Sequence, residues 1–283
     1  MSALSIVLLM TSGLLHASWN FLLKASEDKF TTLWWGYLLG GLAFAPWMIG
    51  RSFPSSEVWF WLLISVLVEI IYLVLLSISY QKTDLSLIYP IGRGSAPVFI
   101  TLWSVLLLGE KPGYAGLFGI FLIIIGVGLV SYQTSVKVNR SVLKHGLLFG
   151  LMIGWTISCY TMIDGAQAKR TDPIMYSWLV LTLMPIVSTP LLLTRYPLKS
   201  ITDSIRQHPW RIILIGVLTF LAYSVALVAY SFSYISYAGS IREVGIVFVA
   251  IGGWLIFKER LAWQRLVGAL TVFAGILVIR ILA

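Results

Sequence analysis

The sequence predicts an all-α polytopic membrane protein, with ten transmembrane helices arranged as two inverted five-helix repeats. Three observations carry that expectation. Of its 283 residues, 59% are hydrophobic and only 11% charged. Soluble domains carry about 25% charged residues, so this chain cannot cover a water-facing surface. Apolar runs recur from end to end at about the 20-residue length that crosses a bilayer core. Finally, the end of the first half aligns with the end of the second without a gap. The runs are continuous rather than alternating with period two, which excludes a transmembrane β-barrel.

Taken in order, the expected spans are 3–23, 31–49, 58–80, 86–108, 113–132, 146–164, 174–193, 211–233, 236–257 and 262–281. The first carries His16 and Asn20, four residues apart and therefore on one helix face, with Lys24 continuing that face to the boundary. Such a pair either bonds a neighbouring helix or lines a cavity, where His16 would titrate near neutral pH. The third span places Glu69 near its middle, in LISVLVEIIYLVLL. A carboxylate at that depth costs several kcal/mol, roughly, unless it is paired, protonated or hydrated. Its alternatives are an ion pair with Arg93 or Arg242, or a role in proton coupling or substrate binding. Tyr72 shares its face, and Tyr223 stands at about the equivalent place in the eighth span, which points to a symmetric polar pocket.

The fourth span opens DLSLIYPIGRGSAPVFI, with Tyr89 and, deeper, Arg93. At that depth Arg93 is too far in to snorkel easily and faces the bundle interior. Pro90 and Pro97 remove backbone hydrogen bonds, while Gly92 and Gly94 permit bending. A helix hinge, or local break exposing carbonyls and amides around Arg93, is expected. The ninth span holds Arg242 and Glu243 and would break without proline, using Gly239, Gly245, Gly252 and Gly253. Either arginine serves structural pairing or recognition of a substrate anion. Glu243 points about 100° away from Arg242 and either pairs with another base or titrates.

The repeat aligns residues 93–130 with 242–279, identical at eight of 38 positions. Those identities include Arg93/Arg242, Glu110/Glu259, Gly119/Gly268 and Gly126/Gly275. With an odd number of spans per unit, the halves enter the membrane in opposite senses, the architecture of secondary transporters with a midplane site. The chain then divides into a first repeat at 1–132, a connection at 133–145 and a second repeat at 146–283. Gly119 and Gly126, like Gly268 and Gly275, lie seven residues apart on one face and suit close helix packing in lipid. Glu110 and Glu259 occupy turns just before a following helix, where an acid is stabilised by the helix dipole. Lys82, Asp84 and Asp164 fall at span ends and read as interfacial.

The connections, the longest being 133–145 and 194–210, hold few apolar residues and no further domain. The net charge of +9 resides mostly in loops, which suits lipid headgroups rather than nucleic acid. A lone Cys159 within the sixth span leaves no disulfide and no cysteine-based metal site, and neither a metal nor a cofactor is expected. MSALSIVLLM lacks a basic n-region and reads as a retained first helix. Trp34, Trp35, Trp47, Trp59, Trp61, Trp210 and Trp263 cluster near span ends, as interfacial rings do. Odd-numbered loops carry thirteen Lys and Arg, even-numbered loops and the C-terminus five. By the positive-inside rule the odd loops would be cytoplasmic and both termini outside.

HASWNFLLK, DLSLIYPIGRGSAPVFI leading into LLLGEKP, GLFGIFLIIIGVGLV and the second copy ending FKERLAWQRLVGALTVFAGILVI together resemble the drug/metabolite transporter superfamily, in its EamA-type ten-helix members. The resemblance covers essentially the whole chain. It implies a five-plus-five inverted repeat and secondary transport without ATP, in a family that moves amino acids, nucleotide sugars, sugar phosphates and drugs, often outward. It also implies cytoplasmic termini, opposite to the loop-charge count.

The expected function is secondary active transport, proton-linked or by exchange, of a small metabolite by alternating access, with export of amino acids or related anionic or zwitterionic solutes in view. The alternatives are a facilitative carrier of phosphate- or phosphonate-type anions, and a membrane receptor or assembly subunit without transport. An enzyme is not expected, because HExxH, Ser/Lys or Ser/His pairs and paired intramembrane aspartates are lacking. Expected partners are membrane lipids, the solute and protons. The chain is expected to be a monomer or homodimer in the bacterial inner membrane.

Overall fold

The computed structural model describes residues 1–82, 85–131, 140–257 and 263–283; for 77, 80–82, 85–87, 89, 90, 140–143, 253, 256 and 257 it describes the backbone only. Among the described residues every regular element is helical. In chain order these are α1 (Ala3–Lys24), α2 (Lys29–Phe44), α3 (Ser56–Lys82), α4 (Leu85–Leu108), α5 (Tyr114–Ser131), α6 (Arg140–Ala168), α7 (Pro173–Arg195), α8 (Leu198–Gln207), α9 (Pro209–Ser231), α10 (Ile235–Arg242), α11 (Gly245–Phe257) and α12 (Trp263–Leu282). Among the described residues nine segments are long and apolar enough to cross a membrane, α10 and the start of α11 counting together. The chain is a multi-pass integral membrane protein.

Local chemistry sets the ends. Ser2 caps α1 by accepting the Ser5 N–H, and Asp28 caps α2 by accepting that of Thr31, each satisfying an amide the helix leaves open. Pro46 closes α2 into a 3₁₀ turn, Ala45–Met48. Helix and turn together still span about 30 Å. Asp172 accepts the N–H groups of Ile174 and Met175, and Pro173 takes the first position of α7, where its missing N–H costs nothing. Burial opposes ionisation of Asp172, yet those two amides and the Arg51 guanidinium hold its carboxyl below the usual range. Gly109, at φ +66°, ends α4 in the left-handed conformation, and the Glu110 N–H returns to the Ser104 carbonyl.

Two expectations about the elements need correction. The stretch 194–210 is not only a connection: it carries α8, whose Ile201 is buried and accepts Trp35 Nε1–H at 2.8 Å. Its apolar residues are too few and too dispersed to register as a span, but one of them still docks. Nor is α4 broken at Arg93, since residues 85–108 form one helix. Gly92 serves close approach instead: a Cβ there would lie 3.0 Å from Ile153 Cγ2 on α6. The interruption lies in the ninth span, where α10 stops at Arg242 and α11 begins at Gly245.

Helices pair across the two halves. α5 packs on α12, α4 on α6 and α1 on α11, and α1 on α9 as α3 does on α6. Exchanging the halves maps α4–α6 onto α1–α11 and α1–α9 onto α3–α6, and returns α5–α12 to itself. At the α5–α12 crossing, Cβ atoms at Gly119 and Gly275, or at Gly126 and Gly268, would come within 2.6–2.8 Å of each other's carbonyl oxygens. Only glycine allows backbones that close. Gly119 meets Gly275 while Gly126 meets Gly268, so α5 and α12 run antiparallel. Gly113 at the start of α5 bonds Tyr237, and Ser233, just before α10, bonds Ser5. Both chain ends therefore lie at one face, the terminal face. The opposite, basic face carries Lys24, Lys29, Arg211 and Arg265.

Candidate functional site

The two faces differ in packing. Toward the terminal face, Leu9, Leu62, Met175, Tyr176 and Tyr230 are fully buried. Three ion pairs there each join the first half to the second: Arg51–Asp172 at 2.5 Å, Glu57–Arg170 at 2.6 Å and Glu110–Lys169 at 3.7 Å. Glu110 also accepts the Ile235 and Ser236 N–H groups at 2.6 and 3.1 Å, and the Ser236 hydroxyl at 2.7 Å. It caps α10, in the other half, rather than the helix that follows it, because the left-handed turn at Gly109 aims it across the interface. Glu259, its sequence counterpart, lies outside the described residues.

Toward the basic face the helices part around a cavity of about 620 Å³, a volume suited to a small organic molecule. Lys24, Lys29, Ser131 and Arg265 line its mouth, and Trp19, Tyr37, Tyr72, Tyr160, Met184 and Thr219 its walls. His16, Asn20, Glu69, Tyr72, Arg93, Tyr223 and Arg242 all line it too. The side chains of Tyr89 and Pro90 lie outside those described. A Cβ at Gly94 would meet nothing within 4 Å, and Pro97 is buried, its carbonyl accepting the Thr101 hydroxyl at 2.8 Å.

Two polar clusters stand at the inner end. In the first, Arg93 reaches from α4 to Glu243, in the α10–α11 interruption, at 3.3 Å, and to His16 Nε2 at 3.0 Å. A guanidinium only donates, so that bond requires His16 Nε2 to be unprotonated. Asn20 Nδ2 donates to the His16 carbonyl at 2.7 Å and steadies that turn of α1. Glu243 is 5% exposed, and the break in the ninth span is what turns it toward α4.

In the second cluster Tyr223 joins two carboxyl groups, Glu69 at 2.8 Å and Asp164 in a shorter contact. Asp164 also accepts the Ser65 hydroxyl at 2.5 Å and that of Tyr176 at 2.8 Å. This decides against one alternative for Glu69 and corrects the expectation for Asp164. Glu69 forms no ion pair with Arg93 or Arg242 among the described residues; its partner is a phenol. Asp164 is not interfacial but 1% exposed, because α6 runs on to Ala168 and carries it into the bundle. The spacing of Ser65 and Glu69, one turn apart, marked the receiving face of α3, but nothing local to Asp164 identified its partners. Arg242 stacks over the Tyr223 ring, 5.9 Å from its centroid, and makes no ion pair among the described residues.

A family model described as the EamA-like transporter family matches residues 3–132 and again 144–281. No curated protein matches significantly. One solved crystal structure, 13% identical, superposes with a TM-score of 0.79 over 100% of this chain and 98% of its own; it shares the fold. With two copies of that model spanning nearly its whole length, the chain belongs to the EamA-like transporter family, a family of membrane transporters of small molecules.

Proposed function

We propose that this protein is a secondary transporter that carries a small organic anion or zwitterion through its central cavity by alternating access. The observation that carries the proposal is Arg242: a cation lining an aromatic-walled cavity, with no carboxylate in ion-pairing distance among the described residues. Arg93, by contrast, is already paired to Glu243. A carboxylate or phosphate entering from the basic face would find its counter-charge at Arg242, and the apolar part of the solute would lie against Trp19, Tyr37 and Tyr160. Ten crossing segments in two inverted halves give the motion, α2 with its 3₁₀ turn completing the set. The mirrored helix pairings support that symmetry. Opening the terminal face while the basic face closes would pass the solute across, in either direction. The setting proposed is a bacterial inner membrane, with the chain acting as a monomer or homodimer.

The test is flux in proteoliposomes of purified protein, screened with labelled amino acids, aromatic 2-oxo acids, dicarboxylates and organic phosphates. Wild type should move at least one class saturably, and Arg242→Gln should lose that flux while keeping its thermal stability. Saturable binding with no flux would favour a receptor role instead.

A further inference from the structure

We infer that Glu69 and Asp164, bridged by Tyr223, form a site that takes up and releases one proton in step with the anion held at Arg242. The starting point is a count of hydrogens. The Tyr223 hydroxyl owns one hydrogen, yet its oxygen is in hydrogen-bonding contact with Glu69 Oε1 and with Asp164 Oδ2. Two ionised carboxylates only accept, so one of those contacts is a hydrogen bond only if a carboxyl group carries a second proton. Ser65 and Tyr176 both donate to Asp164 Oδ1, making Asp164 the better-solvated anion. The second proton therefore rests on Glu69, whose O–H donates to Tyr223 while Tyr223 donates to Asp164.

The two carboxyl groups also differ in access. Glu69 lines the cavity, whereas Asp164 does not and is sealed behind Tyr223. Release transfers the Glu69 proton to cavity water, leaving two carboxylates sharing one phenolic hydrogen; uptake reverses the step. The groups that face the pair are Tyr37 on α2, Tyr72 on α3, Tyr160 on α6, Tyr176 on α7, Tyr223 and Tyr230 on α9 and Arg242 on α10. Arg93, His16 and Glu243 form the neighbouring cluster, which shares a recess with Arg242. Of the two arginines, Arg93 has Glu243 to answer it, while Arg242 answers either the deprotonated pair or a bound anion. When the anion arrives, the second carboxylate charge becomes repulsive and a proton is taken up from water; when the anion leaves, it is released. Anion and proton thus travel in the same direction.

The inference rests on the transport reading above, and two measurements separate them. Infrared difference spectra of the purified protein in lipid nanodiscs need no substrate. As the pH is lowered, wild type should gain the high-frequency C=O band of a buried protonated carboxyl, lost in Glu69→Gln and displaced in frequency in Tyr223→Phe and Asp164→Asn. Absence of the band, or its persistence in Glu69→Gln, overturns the inference. In proteoliposomes, flux of phenylpyruvate and of the other probes should accelerate when an acid-side gradient is imposed along its direction, and Glu69→Gln should lose the acceleration. Equal response to the gradient in both proteins overturns the coupling. No flux with the band intact overturns the transport reading and the coupling together, and leaves a bound structural proton.

Discussion

Arg93 and Glu243 bury a cation and an anion in the same bundle, at 18% and 5% side-chain exposure. Desolvation of two charges offsets most of their attraction, so the pair adds little net stability. Removing one partner is different, because it strands the other. Arg93→Ala is expected to destabilise the protein by about 3 kcal/mol, read as a lowered unfolding midpoint in detergent. Adding Glu243→Gln to it should recover most of that loss. The recovery distinguishes a structural ion pair from direct anion binding, for which the double variant would remain stable but inactive only as far as Arg93 itself touched solute. Arg242 occupies the corresponding place in the second half and forms no ion pair among the described residues, so the same residue type is paired in one half and, in the reading proposed above, meets the solute in the other.

At the level of elements, α5 and α12 are joined by backbone rather than by side chains. A Cβ on Gly275 would sit 2.6 Å from the Gly119 carbonyl oxygen and 3.1 Å from the Ile123 amide, neither of which can yield without moving its helix. Gly275→Val is expected to cost about 2 kcal/mol through overpacking. Gly128, two residues beyond Gly126, meets nothing within 4 Å, so Gly128→Ala should be neutral or stabilise by up to about 1 kcal/mol. Comparing the unfolding midpoints of the two variants checks whether the glycines act by approach or merely by composition. The interruption between α10 and α11 has an equally local basis. Glu243, Val244 and Val247 donate their N–H groups three residues back, to Ser240, Ile241 and Val244, a tightened turn that rotates the Glu243 carboxylate toward α4.

For the whole molecule, closure at the terminal face comes from contacts between halves: three ion pairs, and Glu110 capping α10. Glu110→Ala removes three accepted hydrogen bonds and a charge at the α10 N-terminus, and should shift the equilibrium toward an open terminal face. In a Cys159→Ser background, Ser233→Cys should react slowly with a polar thiol reagent, since Ser233 is buried. Adding Glu110→Ala should speed that labelling. Ala250→Cys, half-buried on the cavity wall, should react readily in the parent and more slowly once Glu110 is removed. Unchanged rates at both positions would mean that Glu110 does not latch this face.

Composition, apolar run length and the alignment of its halves determined that the chain lives in a membrane, roughly where the nine segments apolar enough to cross it fall, and that its two halves repeat; these depend on solvation, length and residue order, which the chain expresses by itself. The family was legible for the same reason, in motifs that run along the chain. Which charge meets which was not. For Glu69 the sequence left an ion pair with an arginine and a coupling or binding role both open, and α9 and α6 bring Tyr223 and Asp164 to it. Asp164 passed as interfacial because an aspartate near a helix end satisfies local rules equally well in water or buried under three hydroxyls. Of the two breaks expected, the one in the ninth span occurs, between Arg242 and Gly245, while the one at Pro90, Gly92, Gly94 and Pro97 does not, because packing of α4 along α6 outweighs its weak local propensity. Pairings between residues roughly 60 to 150 positions apart depend on tilt, rotation and contact of whole helices, and only the tertiary structure decided them.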